Sequence, residues 1–260
     1  MRKIVSFVLG VLISGSGAGL GGMVFLPAKV VPSGQTIVAP ETAIDRSPAL
    51  DYIDIIHFKK GFAKPPWAGG DKGGPTCYGF ISKGAKLTET ENLYVNDANS
   101  LMASTDVLSG VSNSANTWDT ETVSTIFGSY ISDSTANFDE GNSPDGKNEI
   151  SFGKYPQAGV IAVTRIWGIF YGPPQNRYID QFDILFNTAY SWGNADTNLI
   201  SVMDFRNIAT HEIGHGVGLA DIYETGCSAV TMYGYSDYGE IQKRSLEPAD
   251  IIGLQKLYGI

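Results

Sequence analysis

Residues 211 to 221 read HEIGHGVGLAD, a run in which two imidazoles and two carboxylates recur at spacings that can serve one ion. Side chains four apart on an α-helix stand about 40° apart around the axis and ~6 Å apart along it, so His211 and His215 can face a common point. Glu212 projects near the same side. Gly218, three residues after His215, suits a left-handed turn that ends the helix and brings the chain back beneath it. Asp221 then arrives as a third ligand. Two neutral nitrogens, one carboxylate and a fourth position left to water make up a catalytic zinc site, which acidifies that water and polarises a carbonyl. Glu212 is the base that takes the proton and passes it to a leaving amine. The chemistry expected of one catalytic Zn2+ so held is hydrolysis, of a peptide bond in the leading reading, while a non-peptide bond would suit the same groups.

Each residue also has a plainer reading. A helical histidine is usually structural, a glutamate beside it a solvated charge, and an aspartate after a helix a surface carboxylate. The chain has only 3 histidines, however, and two of them fall at the ligand spacing. Asp204 precedes the motif by about two helical turns and reads as a helix cap or a first-turn charge rather than a ligand.

The elements that must hold these groups can be read around them. Val202, Phe205, Ile208, Ala209 and Ile213 mark one face of a helix carrying the motif. Leu108, Val111, Ala115 and Trp118 mark an earlier helix, and Pro248 to Tyr258 a last one, with proline in its first turn and Gly259 past its end. Asn92 to Asn96, Glu149 to Phe152, Val160 to Trp167 and Phe182 to Tyr190 are rich in β-branched and aromatic residues and read as strands. The expected fold class is α+β with a single core. A Gly/Pro cluster, WAGGDKGGP at 67 to 75, sets the start of this domain at residue 75, giving a catalytic domain of 75–260. Residues 29–74 then form a pro-segment or linker. It contains a short hydrophobic piece, Tyr52 to Phe58, and the remaining histidine, His57, reads as an ordinary pro-segment residue.

Arg2 and Lys3 precede an uncharged run to Ala28, which reads as a signal peptide over 1–28, or else as a retained anchor with the rest of the chain outside. A net charge of -9 and the lack of any Lys/Arg cluster exclude nucleic acid as a partner. A membrane partner arises only through a retained anchor. Hydrophobic residues at 43% and charged residues at 17% describe an ordinary globular core. Cys77 and Cys227 are an even pair in an exported chain and read most simply as one disulfide.

With its glycine and third ligand, the motif resembles that of the metzincin metallopeptidases, H-E-x-x-H-x-x-G-x-x-[H/D] followed by a methionine turn. Met232, in TMYGY, is the candidate for that turn, which in the family forms an apolar floor under the metal. SANTWDTET at 114 to 122 and LEPADIIGLQKLYG at 246 to 259 resemble the first and closing helices of matrixin-like enzymes of microbial type. The resemblance covers roughly residues 75 to 260. It implies a secreted zinc endopeptidase acting on protein or peptide substrates, built on a twisted mixed sheet with an active-site helix, a first helix and a C-terminal helix. Matrixins usually have histidine as the third ligand, whereas aspartate stands here, as in snapalysin. No histidines remain for the second, structural zinc of animal matrixins. GPTCYGF at 74 to 80 is not their cysteine latency motif, so Cys77 as a latency ligand is a minor reading beside the Cys77–Cys227 bridge.

Weaker signals remain. DEGNSPDGKNE at 139 to 149 concentrates oxygen ligands that suit Ca2+, although a polar turn accounts for it equally. Tyr233, Tyr235 and Tyr238 follow Met232 and could line a substrate pocket or simply pack. The competing function is a catalytically inactive, metal-stabilised extracellular binding or adhesion module. A retained base and an open ligand position argue against it.

Overall fold

The computed structural model describes residues 50–62, 76–139, 144–197 and 201–260. The 1–28 leader, residues 29–49 and 63–74 of the expected pro-segment, residue 75 at the expected domain start, and residues 140–143 of the acidic loop lie outside the described residues. Ser47–Ile260 forms one compact unit.

Its centre is a mixed seven-stranded sheet. The strands are β1 (Asp51–Lys59), β2 (Glu91–Val95), β3 (Phe127–Ser132), β4 (Asn148–Gly153), β5 (Val160–Ile169), β6 (Tyr178–Asn187) and the short β9 (Tyr235–Ser236), in the order β3-β2-β4-β6-β5-β1-β9. The β2, β3, β4 and β6 pairings are parallel, whereas β5 runs antiparallel to both β6 and β1. A separate two-stranded ribbon joins β7 (Trp192–Gly193) to β8 (Met203–Asp204). Nearly every residue of β4, β5 and β6 is buried. Both faces of the central strands are therefore covered, which is why they read as continuous apolar runs rather than alternating ones.

Three helices complete the unit: α1 (Ser104–Asp119), α2 (Phe205–Gly216) and α3 (Pro248–Tyr258). The buried Val107, Val111, Ala115 and Trp118 of α1 join Ile208, Ala209 and Ile213 of α2 in the main core with Phe182, Ile184 and Phe186 of β6. Each such side chain contributes roughly 1.5–3 kcal/mol by leaving water. The Trp118 indole donates to the Thr210 carbonyl at 2.9 Å, tying α1 to the middle of α2. For α3, Pro248 occupies the first turn and Glu247 and Asp250 form a reciprocal capping box. A Cys77–Cys227 disulfide joins the chain between β1 and β2 to the loop after α2, across 150 residues.

Candidate active site

Asp204 begins α2. Its carboxylate accepts the Asn207 backbone N–H at 2.8 Å and the Arg244 guanidinium at 2.8 Å, so it is a cap held by an ion pair, as its position in the sequence implied. Two turns later His211, Glu212 and His215 are all fully buried. Gly214 keeps that face of α2 narrow, because a Cβ there would meet Met232 Sδ at 2.3 Å and the Trp118 ring at 2.7 Å. Met232 thus lies directly against the helix, one residue from His215.

The helix ends where Gly218 takes φ +101°, and a Cβ at that position would come within 2.3 Å of the Ala85 carbonyl oxygen. This turn sets the Leu219 carbonyl 2.8 Å from His215 Nδ1. The turn that leads into Met232 performs the same service for the other imidazole, with the Thr231 carbonyl 2.7 Å from His211 Nδ1. Asp250, inside the first turn of α3, holds that turn by accepting the backbone N–H groups of Thr231 (2.8 Å) and Met232 (3.2 Å).

A carbonyl can only accept, so each Nδ1 carries the proton and each Nε2 presents a lone pair. Those two Nε2 atoms lie 3.2 Å apart, and Asp221 Oδ1 sits 3.2 Å from one and 3.5 Å from the other. Asp221 Oδ1 is buried and has no hydrogen-bond donor among the described residues. Three electron-pair donors facing one another with no proton between them fit a cation. Ligands held tetrahedrally at about 2.0–2.1 Å from zinc stand about 3.3–3.4 Å apart, close to the separations found here. The outer oxygen of Asp221 accepts the Tyr223 hydroxyl at 2.9 Å, an orienting bond to the third donor.

Glu212 is engaged at both oxygens: Oε2 accepts the Thr164 hydroxyl of β5 at 2.6 Å, and Oε1 lies 2.7 Å from His57 Nδ1. Burial pushes the Glu212 carboxyl up to about 7, against the opposing pulls of His215 and the Thr164 hydroxyl. Burial likewise holds His57 well below the usual imidazole range. His57 is therefore neutral, donating from Nδ1 and accepting the Ser236 hydroxyl at Nε2 (3.1 Å). This corrects the expectation that His57 is an ordinary residue upstream of the domain. It belongs to β1, within the sheet, and its ring lies 4.0 Å from that of His211.

Tyr233 and Tyr235 flank this cluster. Their carbonyls both accept the fully buried Lys243 ammonium, whose pKa burial pushes down to about 7, and the Tyr235 ring packs on Tyr223 at 5.3 Å. Tyr238 instead packs on Tyr190, away from the zinc donors. Thr164, Tyr223, Ser236 and Lys243 carry no motif, and their roles arise only from folding. His57 carried one usable signal, since the one histidine outside the motif sits in an apolar strand-like run.

The acidic loop contributes Asp139 and Glu149, whose carboxylates gather with that of Asp183 from β6. Asp183 accepts the backbone N–H groups of Asp139 (3.0 Å) and Glu149 (3.2 Å), and burial pushes it up to about 8. Oxygen-rich clusters of this kind suit hard cations, and the cluster leaves Ca2+ at the level of the sequence expectation.

With this geometry in view, comparison with known families is direct. The family model described as Matrixin matches residues 96–259, and the chain belongs to this family. A search among curated proteins gives no match. The chain is therefore a zinc metalloendopeptidase, with a catalytic zinc whose candidate ligands are the His/His/Asp cluster, and its substrates are peptides.

Proposed function

We propose that His211, His215 and Asp221 hold the single catalytic zinc, with Glu212 as general base, in a secreted endopeptidase. The observation that carries the reading is the convergence of three lone-pair donors beside a buried carboxylate. When bound, the metal supplies Lewis acidity toward water and toward the scissile carbonyl. The residues do the rest. Thr231 and Leu219 hold the imidazoles in the donor tautomer, and Tyr223 aims Asp221. Glu212 takes the proton of the attacking water and returns it to the departing amine. Its carboxyl, raised by burial, suits both directions of transfer near neutrality. Thr164 fixes one of its oxygens, and His57 Nδ1 holds the other.

An aspartate in the third position, as in snapalysin, departs from the three-histidine arrangement usual in matrixins. Secretion is supported by the basic, then apolar, amino-terminal run and by the disulfide. Among the described residues no helix is long and apolar enough to cross a membrane.

The test is Glu212→Gln in the zinc-loaded chain, assayed on casein with and without prior limited proteolysis. General-base catalysis is worth roughly 10²–10⁴ in rate, so a loss of that order with zinc content unchanged is expected. Unchanged cleavage by the variant would remove Glu212 from the mechanism.

A further inference from the structure

We propose that Lys243 is a positioning residue for peptide binding, its ammonium fixing the chain after Met232 as one wall of the cleft beside Glu212. The proposal rests on the peptidase reading and goes beyond it. Lys243 is fully buried and belongs to no motif. Its backbone N–H donates to Asn207 Oδ1, in the first turn of α2, at 2.7 Å. Its Nζ donates to the carbonyls of Tyr233 and Tyr235, the latter at 3.0 Å, and stands 3.5 Å from His57 Nε2. The side chain is thus a strut between the active-site helix and the segment that follows Met232.

The acceptors explain why a lysine stands here. Carbonyls two residues apart on an extended chain point the same way, and the three N–H groups of one ammonium can serve both. The carboxylates of Asp221, Glu240 and Glu212 act on it only through space. Plain packing would be met by an apolar chain of the same length, without the cost of a buried charge. What the ammonium adds is its hold on these two carbonyls.

The segment it holds touches both halves of the site. Gly234 lies so close to Tyr223 that a Cβ would come within 2.5 Å of the ring, and the Tyr223 hydroxyl donates to Asp221. The Tyr235 ring packs on Tyr223 at 5.3 Å, and the Ser236 hydroxyl reaches the Nε2 of His57, the partner of Glu212, at 3.1 Å. Beyond Gly234, whose N–H donates to the Ile222 carbonyl at 2.9 Å, the backbone runs into β9, two residues that pair with β1 at Phe58 and Lys59. So short a strand fixes its own position poorly. A wall placed there makes no bond in the reaction. Loosening it removes binding that ground state and transition state share, which raises KM and spares kcat.

The experiment compares the zinc-loaded full chain with its Lys243→Met and Lys243→Ala variants, using a quenched fluorogenic peptide as substrate. The methionine variant keeps the length of the side chain and loses the donors. Its KM is expected to rise at least about tenfold, the scale of a lost hydrogen bond to a charged group. Its kcat should stay within about threefold of the wild type, as for a loss of uniform binding, with zinc affinity unchanged. Hydrogen exchange should quicken at the amides of 233–236 and not in α2. In the alanine variant, ethylammonium ions should bring KM back toward the wild-type value, whereas ethanol, which is uncharged, should not. A methionine variant with wild-type KM, a fall in kcat alone, a loss of zinc, unchanged exchange at 233–236, or equal rescue by ethanol would overturn the proposal. So would failure of both variants to fold, which would make Lys243 a residue of the folding core. If no form cleaves, yet exchange quickens at 233–236 alone and ethylammonium reverses it, the positioning role stands and the peptidase reading fails.

Discussion

At the candidate zinc cluster each donor is aimed by a partner outside the proposed ligand set. Tyr223 does this for Asp221 through a 2.9 Å hydrogen bond. Removing a partner of this kind costs about 10–100-fold in metal affinity, so Tyr223→Phe is expected to weaken zinc binding by that factor with the fold intact. Competition with a chromophoric chelator measures it, and unchanged affinity would assign the hydroxyl no orienting role. The convergence of the proposed ligands was legible in the sequence because one helix and one turn generate it: the four-residue step sets His211 beside His215, and Gly218 brings Asp221 back. His57 was not legible, because it reaches Glu212 from a strand 155 residues away. Nothing local marks the pairing that carries it there.

Among the elements, the turn after α2 is the most constrained. Gly218→Ala would combine a φ of +101° with a 2.3 Å approach to the Ala85 carbonyl. Backbone strain of this kind costs about 1–3 kcal/mol, and the turn also delivers both Asp221 and the Leu219 carbonyl. Chemical denaturation is expected to report a loss of that order, together with weaker zinc binding. A variant with native stability and affinity would show that the turn can be built another way. The long elements follow from pattern: α3 occupies the stretch its proline and glycine mark, and β4, β5 and β6 grow from the apolar runs. The short ones do not. β9 is two residues long and exists only because β1 lies beside it, while β3 is largely exposed and offers no apolar run. The hydrophobic piece from Tyr52 to Phe58 was visible, but the Gly/Pro cluster after it hid its place in the sheet.

For the whole molecule, stability rests partly on a covalent link and partly on a buried carboxyl that keeps its proton. The Cys77–Cys227 bridge closes a loop of 150 residues. Replacing both cysteines with serine is expected to lower unfolding free energy by up to about 4–5 kcal/mol, the chain-entropy limit for so long a loop. An unchanged denaturation midpoint would refute this. Asp183 is raised to about 8, chiefly by burial. The unfolded chain loses that proton near pH 4 and the folded chain keeps it, so its stabilising contribution is full below ~4 and is lost as pH climbs toward 8, with a slope of at most ~1.4 kcal/mol per pH unit. In calcium-free buffer the melting temperature is expected to fall between about pH 5 and about pH 8, and Asp183→Asn should flatten that fall; an unaltered slope in the variant would place the proton elsewhere. Most direct for the molecule's chemistry is zinc itself, titrated by chelator competition into the wild type, Glu212→Gln and Asp221→Ala. The first two are expected to bind a single zinc with equal affinity and the third at least about tenfold more weakly. An Asp221→Ala chain that holds zinc as tightly as the wild type, or a wild type that holds none, would contradict the site described.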